Sequence, residues 1–229
     1  MAADLRQCLA SFRIVLAHRE RFNSSKIFPI NFENFGLKDY TTALTMMQNF
    51  TAERDYNTSD QIWFMEHHPV FSCGIRTDGN DILNKENTPI VKTDRGGQVT
   101  YHGPGQLLVY TLFDLKRRSL RIKDFIVNME TVILNTIHHY KKSARLNKKN
   151  PGIYIDDKKI CSFGLKITHG CTYHGASINV SMDLKPWSDI NVCGQNNQPV
   201  TDLKTEGILT NLFDVSRIVR KETLQIFSE

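Results

Sequence analysis

Residues Gln106 to Leu115 read QLLVYTLFDL, a near-continuous apolar run. A run of this kind marks a strand covered on both faces and places the segment at the centre of a sheet. Upstream, QIWFME (Gln61–Glu66) and PIVKTD (Pro89–Asp94) read as further strands. Between Lys38 and Arg54, the residues Tyr40, Ala43, Leu44, Met47 and Phe50 form a helical stripe. Downstream, Ile122, Phe125, Ile126, Met129, Val132, Ile133, Ile137 and Tyr140 recur at spacings of three and four, the strongest helical pattern in the chain. KKSARLNKKNPG (Lys141–Gly152) then reads as a basic loop punctuated by Pro-Gly. IYIDDKKICSFGLKI (Ile153–Ile167) is a hairpin turning at Asp156-Asp157, CTYHGASINV (Cys171–Val180) a strand, and Ser216–Phe227 a helix. Strands outnumber helices without alternating with them. The pattern predicts an α+β fold, a mixed, mostly antiparallel sheet with packed helices. No boundary shows before about Lys185, so residues 26–229 are expected to form a single domain and residues 1–25 an extension ahead of it.

With 229 residues the chain has enough length for a core and a ligand pocket, and no apolar run approaches the ~18 residues of a membrane span. The first residues carry four arginines and two acids before Asn23 but lack the long apolar run of a secretory signal. A cytoplasmic protein is expected, with a mitochondrial one the minor alternative. Five scattered cysteines (Cys8, Cys73, Cys161, Cys171, Cys193) with no C-x-x-C fit free thiols in a reducing compartment. The net charge of +5 is uneven: Lys116 to Lys149 holds ten Lys/Arg against Asp124 and Glu130. Such a window is either a solvated face or a contact for an anionic partner.

Just ahead of the central strand lies RGGQVTYHGPGQ (Arg95–Gln106), which holds Gly96, Gly97, Gly103 and Gly105. It matches neither dinucleotide nor phosphate-loop patterns, Pro104 removes a backbone donor, and a strand follows rather than a helix N-terminus. Metal-ligand types occur at His169, Cys171 and His174 and at His67, His68 and Cys73, but strand alternation keeps the first set from converging, and no metal is expected. Nucleophilic catalysis remains. Cys193 in NVCGQ, directly before Gly194, allows backbone amides to approach a reacting carbonyl, whereas Cys161 lies mid-strand as a buried thiol. A thiolate at Cys193 needs a neighbouring base or cation: His102, His174 or a lysine.

Five separated motifs, in order along the chain, resemble the lipoyl(octanoyl) transferase family: EHHPVFSCG, RGGQVTYHGPGQLLVYTLFDLKR, PGIYIDDKKICSFGLKI, GCTYHGASINVSMDL and INVCG. The resemblance implies a biotin/lipoate protein ligase fold and a single catalytic domain. The activity it implies is transfer of an octanoyl group from octanoyl-acyl carrier protein to a lysine of lipoyl domains, the first step of lipoate cofactor assembly. It further implies a thioester on Cys193 paired with Lys159, and no cofactor. The implied substrate pocket is Arg95, Gly96, Gly97, Gln98, Val99, Thr100, Tyr101 and His102, with Ser162, Phe163 and Gly164, and Gly175, Ala176 and Ser177. The implied acceptors are the lipoyl domains of 2-oxoacid dehydrogenase subunits and the glycine cleavage H protein, with no nucleic acid and no membrane. Val192 stands where family members commonly have proline. At ~0.8 kcal/mol per buried methylene, shortening the acyl chain by two carbons costs about 1.6 kcal/mol, roughly fifteenfold. Three alternatives stay open: an ATP-dependent lipoate-protein ligase on the same fold, a non-catalytic acyl-carrier-binding module, and a Cys-His hydrolase.

Overall fold

The computed structural model describes residues 28–84, 88–192, 194 and 198–227. The expected extension, residues 1–25, lies outside the described residues. A seven-stranded sheet runs in the order β1 (Ile30–Lys38), β2 (Asp60–His67), β6 (Gln106–Leu112), β10 (Cys171–Asn179), β9 (Lys158–Thr168), β8 (Gly152–Ile155), β7 (Arg145–Asn147). A three-stranded sheet holds β3 (Val70–Cys73) between β4 (Ile90–Lys92) and β5 (Val99–His102). Among the named strands of the described residues, only β1–β2 and β3–β4 pair in parallel; the other pairings are antiparallel. The α+β expectation, a mixed and mostly antiparallel sheet, is borne out.

QLLVYTL is the central strand that its composition demands, buried at every residue. Leu107 and Val109 face one core, Leu108, Tyr110 and Leu112 the other. The first core lies under α2 (Ile122–Tyr140) and α3 (Leu212–Phe227). The i, i+4 stripe Phe125, Met129, Ile133 and Ile137 is fully buried there, as the helical periodicity requires. α3 begins four residues ahead of Ser216 because the Asn211 side chain accepts from the Asp214 amide at 2.9 Å, an N-cap the apolar pattern does not reveal. On the opposite face α1 (Tyr40–Glu53) sets Ala43 and Met47 against Leu108 and Tyr110. α1 covers only part of that face. Beyond it, over β9 and β10, the face carries Ser162, Gly164, Gly175 and Ser177, and small side chains there leave room for a cavity.

Four strands escape the sequence reading: β1, β3, β5 and β7. β1 is an edge strand with a half-exposed, irregular pattern, β5 lies inside the glycine cluster, and β7 is three residues within the basic loop. β1, β3 and β5 owe their strand state to partners distant in sequence, and β7 to the hairpin it forms with β8, rather than to local alternation.

Candidate active site

Lys159 reaches the cavity because β9 is irregular. Ile153 of β8 pairs with Cys161 and Tyr154 with Lys159, so Ile160 is an extra residue, a β-bulge. In a regular strand Lys159 and Cys161 would share a face. The bulge sends both Ile160 and Cys161 into the helix-side core and leaves Lys159 to line the cavity. Gly152 makes the space: a β-carbon there would stand 2.5 Å from the Lys159 Cε. Lys159 is 3% exposed, donates to the Pro151 carbonyl at 3.0 Å, and lies 5.8 Å from the centre of the Tyr154 ring. Cys193, the other half of the expected pair, lies outside the described residues. Its neighbours are described: Val192 lines the cavity, and the Gly194 amide donates to Asn191 O at 3.1 Å. Cys161 is inert as expected, since burial pushes its thiol far above the ordinary range.

The cavity encloses about 360 Å³. It brings together Lys159, Arg95, Gly97 to Thr100, His102, Ser162 to Gly164, and Gly175 to Ser177. Of the sequence-derived pocket, Gly96 and Tyr101 stand outside the lining. The Gly96 amide is bonded to Leu165 O at 2.9 Å, and Tyr101 turns from Thr100 and His102 to pack on Phe71 and Trp187. Arg95 lines the wall, yet its guanidinium is turned to the fold: Nη2 donates to Ser72 O, Ser72 Oγ and Gln98 O, and Nη1 to Gly96 O. It staples the glycine loop onto β3. Tyr40, Leu108, Tyr110, His174 and the segment Lys148–Pro151 also line the cavity. The sequence signals at Tyr40, Leu108 and Tyr110 are core signals, and only tertiary packing separates cavity wall from core.

Around one end of the cavity lie three histidines, and burial lowers the pKa of each. His67 is lowered to about 4, and its ring bridges Lys38 O (Nδ1, 2.9 Å) and the Tyr110 hydroxyl (Nε2, 2.7 Å). His102, pushed well below its usual value, bridges Gln106 Oε1 at 2.6 Å and Ser72 Oγ at 3.0 Å. The Nε2 of His174 lies 3.0 Å from Asp94 Oδ1, and the Tyr173 hydroxyl donates to the same carboxylate. Bonding to His174 and then Tyr173 holds Asp94 well below the usual carboxylate range. His102 and His174 are thus tied to other partners, and Lys159, with Lys148 and Lys149, lines the cavity at the opposite end. Among the described residues no three His, Cys, Asp or Glu side chains converge as metal ligands, and no helix is long and apolar enough to cross a membrane.

Residues 39–222 match the model of the lipoyl protein ligase A/B catalytic domain, and the chain belongs to that family. An octanoyltransferase of Legionella pneumophila (strain Paris) is 43% identical over 184 residues, covering 80% of this chain and 92% of that protein. The bipartite lipoate protein ligase of Thermoplasma acidophilum shares the fold with a TM-score of 0.70 at 16% identity, over 86% of this chain and 82% of that one. Biotin protein ligase of Aquifex aeolicus in complex with biotin and ATP follows at a TM-score of 0.56 and 12% identity, over 86% of this chain and 70% of that one. The biotin/lipoate ligase fold expected from the motifs is therefore present.

Proposed function

We propose that this protein is an octanoyltransferase that moves an octanoyl group from octanoyl-acyl carrier protein to the lysine of a lipoyl domain through a thioester on Cys193. The observation that carries the reading is one continuous cavity running from Lys159 along the glycine-rich strip, with Val192, the residue before Cys193, in its wall. In the first half-reaction the Cys193 thiolate attacks the donor thioester carbonyl. The C–S bond to phosphopantetheine breaks, and the departing thiolate takes a proton from the Lys159 ammonium. In the second half, neutral Lys159 takes the proton from the incoming substrate amine as it attacks the Cys193 thioester, and the Cys193 thiolate leaves. One side chain serves as acid and then as base. No ATP is consumed, because the donor is already an activated thioester.

The proposed acceptors are lipoyl domains of 2-oxoacid dehydrogenase subunits and the glycine cleavage H protein, and the proposed place of action is the cytoplasm. Lys148 and Lys149, at the Lys159 end of the cavity, supply a cationic rim for an acidic carrier protein. Mixing the protein with octanoyl-carrier protein should add the mass of one octanoyl group to the intact chain, and Cys193→Ala should abolish the adduct. Octanoylation from free octanoate and ATP, without carrier, would support an ATP-dependent ligase instead.

A further inference from the structure

His174 carries two costs that the fold does not require. Its φ is +58°, left-handed backbone in the middle of β10, where a non-glycine residue is strained. Its Nδ1 is buried without a hydrogen-bond partner. The strain has a visible effect. Tyr173 belongs to the α1-side core, so regular alternation would turn His174 toward the other face. Instead the two rings stack with centroids 5.0 Å apart and meet the same Asp94 carboxylate, and the His174 ring lines the cavity.

The ring stands at the end of the cavity remote from Lys159. His174 pairs with Leu165 of β9, six positions beyond Lys159, which is roughly 20 Å of strand before the reach of the lysine side chain is subtracted. That remainder is on the scale of a medium-length acyl chain. The ring is also a thin wall: His174 is 1% exposed, while Asp94, bonded to its Nε2, is 32% exposed. One side chain separates the cavity from the exterior.

We propose that the His174 ring is the end wall that sets the length of the acyl chain, with Asp94 as the residue that positions it. This inference rests on the acyl chain occupying the cavity with its thioester at the Lys159 end. A chain longer by two carbons meets the ring and leaves its last methylenes unburied. Removing the ring opens a passage toward Asp94 through which a longer chain extends.

The test is competition between octanoyl and decanoyl thioesters of carrier protein, read as the ratio of kcat/KM values and as the adduct on the intact chain. Glycine and asparagine both tolerate left-handed backbone, so His174→Gly and His174→Asn keep the local conformation. Asp94→Ala frees the ring and leaves the backbone at 174 untouched. The wild type should prefer octanoyl. His174→Gly should raise the decanoyl-to-octanoyl ratio by roughly fifteenfold, the value of two buried methylenes. His174→Asn and Asp94→Ala should shift it in the same direction by less. An unchanged ratio in the variants that melt cooperatively would overturn the end-wall role. A wild type that acquires no octanoyl adduct would instead sink the transferase reading, so the two failures are distinguishable.

Discussion

At the scale of single residues, the proposed chemistry depends on where one lysine points. Lys159 would face the helix-side core in a regular strand, and the bulge at Ile160 together with the bare α-carbon of Gly152 turns it into the cavity. Gly152→Ala would set a β-carbon 2.5 Å from the Lys159 Cε and 2.7 Å from the Cys161 carbonyl oxygen, so both the lysine and the β8–β9 pairing must shift. The rate of acyl loading should then fall by about tenfold to a hundredfold, the range set by misplacing a catalytic group by an ångström. Burst-phase mass measurements would show it, and an unchanged burst would mean that Lys159 tolerates displacement. Lys159→Arg separates the two roles of the side chain. Arginine keeps the cation but neither gives up nor takes back a proton, so it can still stabilise the thiolates of the loading step by charge: the octanoyl adduct should form more slowly, while its transfer to a lipoyl domain slows by roughly a hundredfold. Accumulated acyl-enzyme is the expected signature. Sequence reasoning reached Lys159 through a motif; the bulge and the glycine that aim it carry no one-dimensional signal beyond a Pro-Gly step.

At the scale of elements, the charges of the window after β6 divide sharply. Arg117 and Arg118, counted with the basic face in the sequence, are buried on Asp60 together with Arg54. Arg54 follows α1, Asp60 opens β2, and Arg118 also donates to the carbonyls of Phe28 and Phe227. One carboxylate thus ties α1, β2, the turn after β6 and both ends of the described chain. Its three partners make it indispensable, since removing its charge leaves the guanidinium groups buried without a counterion. Asp60→Asn should cost about 3–5 kcal/mol in denaturant unfolding. A loss below 1 kcal/mol would show that the backbone carbonyls alone satisfy the arginines. The remaining cations split further, with Arg121 on Asp124, Arg145 on Asp157, and Lys148 and Lys149 at the cavity.

At the scale of the whole molecule, the buried histidines link stability to pH. His67 is fully buried, and its pKa falls from 6.5 to about 4 in the fold. A folded-state pKa below the unfolded one means that the unfolded chain binds the extra proton first. The stabilisation is therefore complete above pH 6.5 and is lost as pH falls from there to about 4. The loss amounts to roughly 3 kcal/mol for a shift of this size. Denaturant midpoints measured across that window should drop steeply, and a flat profile would place a proton on the His67 ring in the native state. The cationic rim at Lys148 and Lys149 makes a second prediction at this scale. Transfer from an acidic carrier protein should slow as ionic strength rises, mainly through kcat/KM, and a rate indifferent to salt would remove the docking role of the rim.

The sequence by itself determined the central strand, the long helix over Ile122–Tyr140, the hairpin at Asp156-Asp157 and the α+β class, because burial on one or two faces leaves a period that is local in the chain. Collinear motifs also pointed to Lys159 and to most of the cavity wall. Only the tertiary structure decided that Tyr101 packs away from the cavity, that Arg95 staples its own loop, and that Tyr40 and Tyr110 line a cavity rather than close a core. Only it showed that a left-handed residue turns His174 into the wall. Register, bulges and strained backbone are relations between segments far apart in sequence, and no single segment encodes them in its own pattern.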